Sequence, residues 1–133
     1  MRWLGFEELD AVSTEVDRLA AATPHIDGFC SSTDWVLPAQ LAFTPLAAPA
    51  VLLGEHGVAA LMVMTLSGGL RAAFPLEASW GLASPFLSPA PEALVPEVFA
   101  TLRAASGPRK VHALVASGIG VAAACEITQL PKR

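Results

Sequence analysis

Three β-strands joined by two glycine-containing turns, all between Ala50 and Glu77, constrain the fold of this chain most. Apolar and β-branched runs predict the strands, at residues 50–53, 58–66 and 70–77. The turns, Gly54-Glu-His-Gly57 and Ser67-Gly-Gly69, are short connections of the kind that join antiparallel strands. The sequence therefore predicts an antiparallel meander at the centre of the domain.

Two helices are predicted before the meander. Over residues 6–22, apolar side chains recur at helical spacing and acidic residues occupy the remaining surface. A shorter helix is predicted to begin at Ser31, because Ser31-Ser-Thr-Asp34 has the spacing of a capping box. Pro38 falls inside this second helix. The helix therefore either kinks at Pro38, or ends at Leu37 and starts again.

A third helix and two strands are predicted after the meander. The helix begins at Pro91 or Pro96 and runs to about residue 105, where Gly107-Pro108 stops it. The strands cover residues 110–115 and 121–127. The chain is thus predicted to form a single α/β (α+β) domain over residues 1–133, with three helices and a mixed sheet of about five strands. A helix that crosses between strands should make at least one pair parallel.

The connection from the third strand to the third helix is unusual for a ligand-binding domain. In α/β domains, backbone N–H groups at the start of such a helix commonly hold an anion. Here the connection contains Pro85, Pro89 and Pro91, and proline has no N–H to donate. Trp80 and Phe86 lie in the same connection and make it a candidate interaction surface, since aromatic loop residues often serve recognition. They could equally form a lid over one end of the core.

Composition indicates a protein partner rather than a membrane or a nucleic acid. Hydrophobic residues make up 53% of the chain and charged residues only 15%, against about a quarter in typical soluble domains. No apolar run approaches the ~18 residues of a spanning helix. The net charge of −4 argues against nucleic acid. The excess apolar surface is therefore expected to meet another protein domain or a second copy.

Charge and cysteine content add two expectations. Residues 1–34 carry seven acids and residues 101–133 carry five bases, which predicts two solvated faces or a head-to-tail contact with a copy or a following domain. The N-terminal residues turn acidic before an apolar signal core develops, so no export signal is predicted. Cys30 and Cys125 are accordingly expected to be reduced thiols in the cytoplasm.

Few residues are arranged for chemistry. His25, His56, His112 and the two cysteines match no metal-binding spacing, and no cofactor is predicted. His25 and Cys30 could form a base and nucleophile, although a cysteine beside an aromatic residue is more often a small packed side chain. The remaining candidates are carboxylates and glycines at strand ends: Glu77, Glu126, Gly118 and Gly120. The carboxylates are general-base candidates or solvated acids, and the glycines indicate a tight turn rather than a phosphate loop.

The order of motifs resembles a known family. The acidic helix is followed by Phe29-Cys-Ser-Ser-Thr-Asp-Trp-Val36, the meander, and Trp80-Gly-Leu-Ala-Ser-Pro85. Together these resemble the N-terminal half of GNAT-superfamily acyltransferases, most closely the two-lobed type related to FemAB peptidyltransferases. In that type a Phe, a Ser and a Trp open the second helix, and Phe29, Ser32 and Trp35 occupy similar positions here.

The resemblance implies a lobe without its own cofactor site. That family holds the acyl-CoA pyrophosphate with a Q/R-x-x-G-x-G/A loop before the third helix, whereas this chain has the proline-rich segment 85–91 there. No position matches a catalytic motif. The resemblance thus implies a non-catalytic lobe that pairs with, or positions substrate for, a second acyltransferase lobe. The alternatives are an interaction module that dimerises through an apolar surface, and a complete small enzyme with an unusual CoA site.

Overall fold

A computed structural model describes residues 1–119 and contains four α-helices and two four-stranded sheets within them. The helices are α1 (Phe6–Ala11), α2 (Ser13–Ala22), α3 (Thr33–Phe43) and α4 (Pro91–Ala104). The strands are β1 (Arg2–Leu4), β2 (Ala48–Pro49), β3 (Val51–Gly54), β4 (Gly57–Ala59), β5 (Leu61–Thr65), β6 (Arg71–Pro75), β7 (Phe86–Leu87) and β8 (Ala113–Leu114). The predicted mixed α/β class is confirmed.

The two sheets share one long hairpin. One sheet has the strand order β1-β3-β4-β7 and the other has the order β2-β5-β6-β8. Ala60 lies between β4 and β5 and makes two backbone hydrogen bonds. Its N–H donates to the Pro85 carbonyl at 2.8 Å, and its carbonyl accepts from the Leu76 N–H at 3.3 Å. Strands β4 and β5 therefore form one long strand, with β7 beside its first part and β6 beside its second part. The connection from β6 to β7 begins at Leu76 and ends at Pro85, both of which bond to Ala60.

The predicted parallel pair is present. Strand β8 pairs with β6 in parallel, with Ala72 opposite Ala113 and Ala73 opposite Leu114, whereas the other strand pairs among residues 1–119 are antiparallel. The physical reason is the crossover through α4, which returns the chain to the same end of the sheet before β8 begins.

Hydrophobic side chains fill a layer on each face of the sheets. One cluster joins α1, α2 and α3 to the sheet through residues such as Leu9, Val16 and Val58. The other packs α4 onto the opposite face through Leu94, Val98 and their strand neighbours. Because both faces are covered, the central strands are buried almost continuously. No helix within the described range is long and apolar enough to cross a bilayer.

Several predicted boundaries differ from the structure. The helix predicted over residues 6–22 is two helices, because Val12 leaves helical geometry (φ −110°, ψ 17°) and ends α1 while preceding α2. Strands β1, β2 and β7 were not predicted, since each is only two or three residues long. Pro91 begins α4, and Pro38 lies inside a continuous α3. The strand predicted over residues 121–127 falls outside the described residues.

The predicted capping box at Ser31 is wrong. Helix α3 begins after Ser32, and the side chain of Ser32 donates to the Phe29 carbonyl instead of capping the helix. Asp17 of α2 supplies the acceptor: its Oδ1 takes hydrogen bonds from the Thr33 N–H at 2.7 Å and the Thr33 hydroxyl at 2.9 Å. The cap therefore comes from a neighbouring helix, which also fixes α2 against α3.

Candidate interaction surface

Four aromatic side chains form a continuous cluster at the surface, here called the aromatic surface: Phe29, Trp35, Phe43 and Trp80. Neighbouring ring centroids are 5.7 Å apart for Phe29–Trp35, 5.7 Å for Trp35–Trp80 and 5.0 Å for Phe43–Trp80. Phe29, Phe43 and Trp80 remain 65%, 55% and 54% exposed. The rings therefore contact one another while much of their area faces solvent, an arrangement enriched at protein interfaces.

Helix α3 places two of these rings. Trp35 lies in its first turn and Phe43 at its last residue, and a spacing of eight residues leaves them roughly 80° apart around the helix, within the width of one apolar stripe. Trp35 is half-buried and stands between Phe29 and Trp80. Its indole N–H is buried with no hydrogen-bond partner among residues 1–119. Ring packing, rather than a hydrogen bond, therefore fixes the position of Trp35.

The carboxylate of Glu77 fixes the loop that carries Trp80. Glu77 is 1% exposed. Its Oε1 accepts from the Trp80 N–H at 2.6 Å, and its Oε2 accepts from the N–H groups of Leu82 at 3.0 Å and Ala83 at 3.4 Å. Gly81, at φ +69°, provides the left-handed turn between these donors. One buried charge thus satisfies three backbone donors of a loop that has no regular secondary structure.

The environment of Glu77 does not suit a general base. Burial alone raises the pKa of this carboxyl, but the backbone N–H groups of Trp80, Leu82, Ala83 and Ser79 outweigh burial and hold the pKa below its ordinary value. A base that works near neutral pH needs a raised pKa and access to substrate. The alternative expectation, a solvated acid at a sheet edge, is also wrong, because the side chain is buried.

Two more side chains hold the rest of the connection. The Ser84 N–H donates to the Ser31 hydroxyl at 3.0 Å. The Ser88 N–H donates to the Thr23 hydroxyl at 2.8 Å, and that hydroxyl donates to the Leu19 carbonyl at 2.7 Å. All of these groups are buried, so each bond removes an otherwise unpaired donor. The segment after Glu77 is therefore fixed by Glu77 itself and by two hydroxyl groups from the connection between α2 and α3.

The prediction that Phe86 contributes to the interaction surface is wrong. Phe86 is 2% exposed and packs in the cluster beneath α4. It belongs to β7, where it lies opposite Ala59 of β4. Alternation along the strand directs Phe86 and Leu87 to opposite faces of the sheet, and both faces are covered by helices. Trp80 lies outside this strand and remains exposed.

The first turn of α4 offers little to an anion. Pro91 is its first residue and has no N–H. The N–H groups of Ala93 and Leu94 donate to the Ala90 carbonyl at 3.0 Å and 3.4 Å, and Glu92 adds a negative charge in the same turn. The helix end that would hold a phosphate group in many α/β domains therefore presents an acid and few free donors.

The other candidates for chemistry lie apart. Cys30 is buried, and burial, with smaller contributions from Asp27 and Glu77, raises the pKa of its thiol, which disfavours a thiolate nucleophile. No group of three potential metal ligands comes together within residues 1–119. Gly118, at φ +63°, passes against Leu82 and Ala83, where a Cβ atom would lie 2.3 Å from the Leu82 carbonyl oxygen. Cys125, Glu126 and Gly120 fall outside the described residues.

Sequence reasoning identified Trp80 as a candidate but missed two features around it. Phe43 was not singled out, although its eight-residue spacing from Trp35 on a predicted helix places both within one broad stripe. The role of Glu77 was also missed. The only signal in the sequence was an acid at a strand end, three residues before Trp80-Gly81. This signal indicates a loop-holding carboxylate only if the acid is buried.

Comparisons with protein-family models, with curated proteins and with solved structures gave no match to this chain.

Proposed function

We propose that this chain is a non-catalytic interaction domain that docks onto an apolar protein surface through the aromatic surface. The observation that carries the proposal is the exposure of three aromatic rings on a fixed support. Trp80 is exposed while its backbone is held by a buried carboxylate, and Phe43 is anchored in α3. Rigid aromatic side chains lose little entropy on binding, and Trp is enriched among the residues that dominate interface energies.

The polar groups of the connection support the non-catalytic part of the proposal. The Glu77 carboxylate is occupied by backbone donors, and the hydroxyl groups of Ser31 and Thr23 are occupied by the N–H groups of Ser84 and Ser88. Each of these polar groups is therefore already used in holding the fold. Nucleophilic or acid–base catalysis needs a polar group within reach of a substrate.

Self-association or stable pairing with another chain is the first expected consequence. The exposed rings of the aromatic surface should be covered by a partner, because aromatic residues are enriched in protein interfaces relative to the rest of the surface. Light scattering of the purified protein should give a mass above that of one chain, rising with concentration, or the protein should co-purify with a partner. A single-chain mass at every concentration, with no partner required for solubility, would contradict this proposal.

A second candidate function is favoured by the closed connection together with the sequence resemblance. Under this proposal the chain is a GNAT-like lobe that docks on an acyltransferase lobe, which supplies the acyl-CoA site. Support comes from the position of Pro85, Pro89 and Pro91, where a pyrophosphate loop would be needed, and from Glu92 in the first turn of α4. The aromatic surface is the contact in both proposals, so they differ only in the identity of the partner.

Acetyl-CoA is expected not to bind the isolated chain. The connection that would hold its pyrophosphate has three prolines and a Glu92 charge. Arg103 lies in the last turn of α4 and Arg109 follows that helix, so both are at the end where the helix dipole opposes an anion. Isothermal titration calorimetry with acetyl-CoA should therefore show no saturable heat. Micromolar affinity would instead support the complete-enzyme alternative, and free CoA titrated in parallel would show whether the acyl group contributes.

A further inference from the structure

Leu46 is the most exposed large apolar side chain of the described residues, at 98%. Its loop is nevertheless ordered. The Ala47 N–H donates to the Thr44 carbonyl at 3.0 Å, and the Gln40 side-chain amide donates to the same carbonyl at 2.8 Å. Pro45 precedes Leu46 directly and restricts the backbone there. Leu46 therefore protrudes from a fixed turn and not from a frayed end.

This leucine also forms part of the wall of a groove of about 430 Å³. Its walls come from the turn after α3 and from β5, and they include Phe43, Val63 and Met64. Phe43 also belongs to the aromatic surface, so the groove and the aromatic surface are continuous. The lining contains no Asp or Glu, and its one charged residue is Arg71. A protruding leucine and an apolar groove thus lie side by side on one face.

We propose that a second copy of this chain binds here about a twofold axis, with Leu46 of each copy in the groove of the other. This inference rests on the proposed function and names the partner. In a twofold interface both copies use the same surface patch, so each contact occurs twice. A protruding residue and a groove on one face can therefore each be filled by their counterparts on the other copy. No second complementary surface is then required.

Charge and backbone chemistry favour this mode of pairing over others. Two copies of net charge −4 repel one another, and the repulsion is reduced where the groove lining has no acids. Strand β2 lies next to the groove at the edge of its sheet, but Pro49 lacks the N–H that edge-to-edge pairing would use. The contact is therefore made by side chains rather than by an extended sheet.

The exposed rings alone offer less area than a stable dimer buries. Phe29, Phe43 and Trp80 are 65%, 55% and 54% exposed, and at ~200 Å² for each side chain they offer about 350 Å². A stable interface needs roughly 800 Å² from each partner. The aromatic surface alone falls short, whereas the adjoining groove and the fully exposed Leu46 extend the same face toward the required area.

Crosslinking tests the geometry directly. In a background of Cys30→Ala and Cys125→Ser, one preparation carries Leu46→Cys and another carries Thr65→Cys at the groove rim. Mixing the two under mild oxidation should give a disulfide-linked heterodimer. Leu46→Cys mixed with Ser106→Cys, an exposed position after α4, is the control and should give no heterodimer above background.

A matched pair of charge variants tests the energetic contribution. Leu46→Glu should raise the dimer dissociation constant by a factor of about 30 or more. Leu41→Glu introduces the same charge at a leucine that is 69% exposed and lines a different groove, so it should leave the constant nearly unchanged. If the protein associates without the Leu46–Thr65 crosslink and Leu46→Glu has no effect, this inference fails while the interaction proposal stands. A chain that binds only a different protein also overturns it.

Discussion

Replacing Glu77 with alanine is expected to lower the free energy of unfolding by about 3 kcal/mol, since one buried and two part-buried backbone donors lose their charged acceptor and a buried unpaired donor costs ~1–3 kcal/mol. The donors are the N–H groups of Trp80, Leu82 and Ala83. Their loop has no strand or helix to replace the lost bonds. Urea denaturation followed by circular dichroism measures the change.

Two further substitutions make this test specific. Glu77→Gln keeps the shape and one acceptor oxygen, so its cost should be smaller, about 1–3 kcal/mol. Glu55→Ala removes an exposed acid from the turn between β3 and β4 and should change stability by less than ~0.5 kcal/mol. Equal stability of the wild type and Glu77→Ala would show that the carboxylate does not hold the loop.

The same carboxylate predicts a pH dependence with a definite sign. The pKa of Glu77 is lower in the folded chain than its ordinary value of 4.5. The stabilisation from this group is therefore complete above the ordinary pKa and is lost as the pH falls through the folded one. The stability difference between wild type and Glu77→Gln should be constant near neutral pH and should shrink below about pH 4.5. A difference that grows on acidification would contradict the assignment.

Gly57→Ala should be the second most damaging change, lowering the free energy of unfolding by about 2–5 kcal/mol through backbone strain and overpacking. Gly57 has φ +142°, and a Cβ atom there would lie 2.3 Å from the Leu87 carbonyl oxygen. Strand β7 would have to move away from β4, which would also disturb the connection that precedes it. Thermal unfolding measures the loss.

Gly68→Ala separates the two causes. Gly68 also has a positive φ, +77°, but a Cβ atom there would meet nothing within 4 Å. Its cost should therefore be limited to backbone strain, about 1–2 kcal/mol. If Gly57→Ala proves no more harmful than Gly68→Ala, the close approach of β7 to the hairpin is not a constraint on the fold.

The regular elements could be predicted because their signals are local. The meander, α4 and the parallel return to β8 follow from apolar runs, turn glycines and helical spacing within each segment. Strand β7 could not be predicted, since Phe86 and Leu87 lie in a proline-rich stretch and become a strand only by pairing with β4. The same applies to β1, which pairs with β3 across about fifty residues of chain.

The candidate site was predictable only in part, for a similar reason. Trp80 is conspicuous in the sequence, but its contact with Phe43 joins a loop to the end of a distant helix. In the sequence, Glu77 and Asp17 cannot be told from ordinary surface acids. In the structure, each accepts a hydrogen bond from a backbone N–H group of another segment or loop. An acid that accepts hydrogen bonds from distant backbone groups produces no periodic pattern in the sequence. Its role is therefore visible only in the three-dimensional contacts.

Sedimentation velocity of Trp80→Ala tests most directly whether the aromatic surface is where a partner binds. The substitution should weaken association at least tenfold, while stability falls by only ~1 kcal/mol because the ring is already half-exposed. Leu70→Ala removes a similarly exposed side chain from the turn before β6 and should leave association unchanged. If a partner binds the aromatic surface, Trp80→Ala assembles more weakly than the wild type and melts at nearly the same temperature. Unchanged assembly, or unfolding that assembly merely follows, would contradict it.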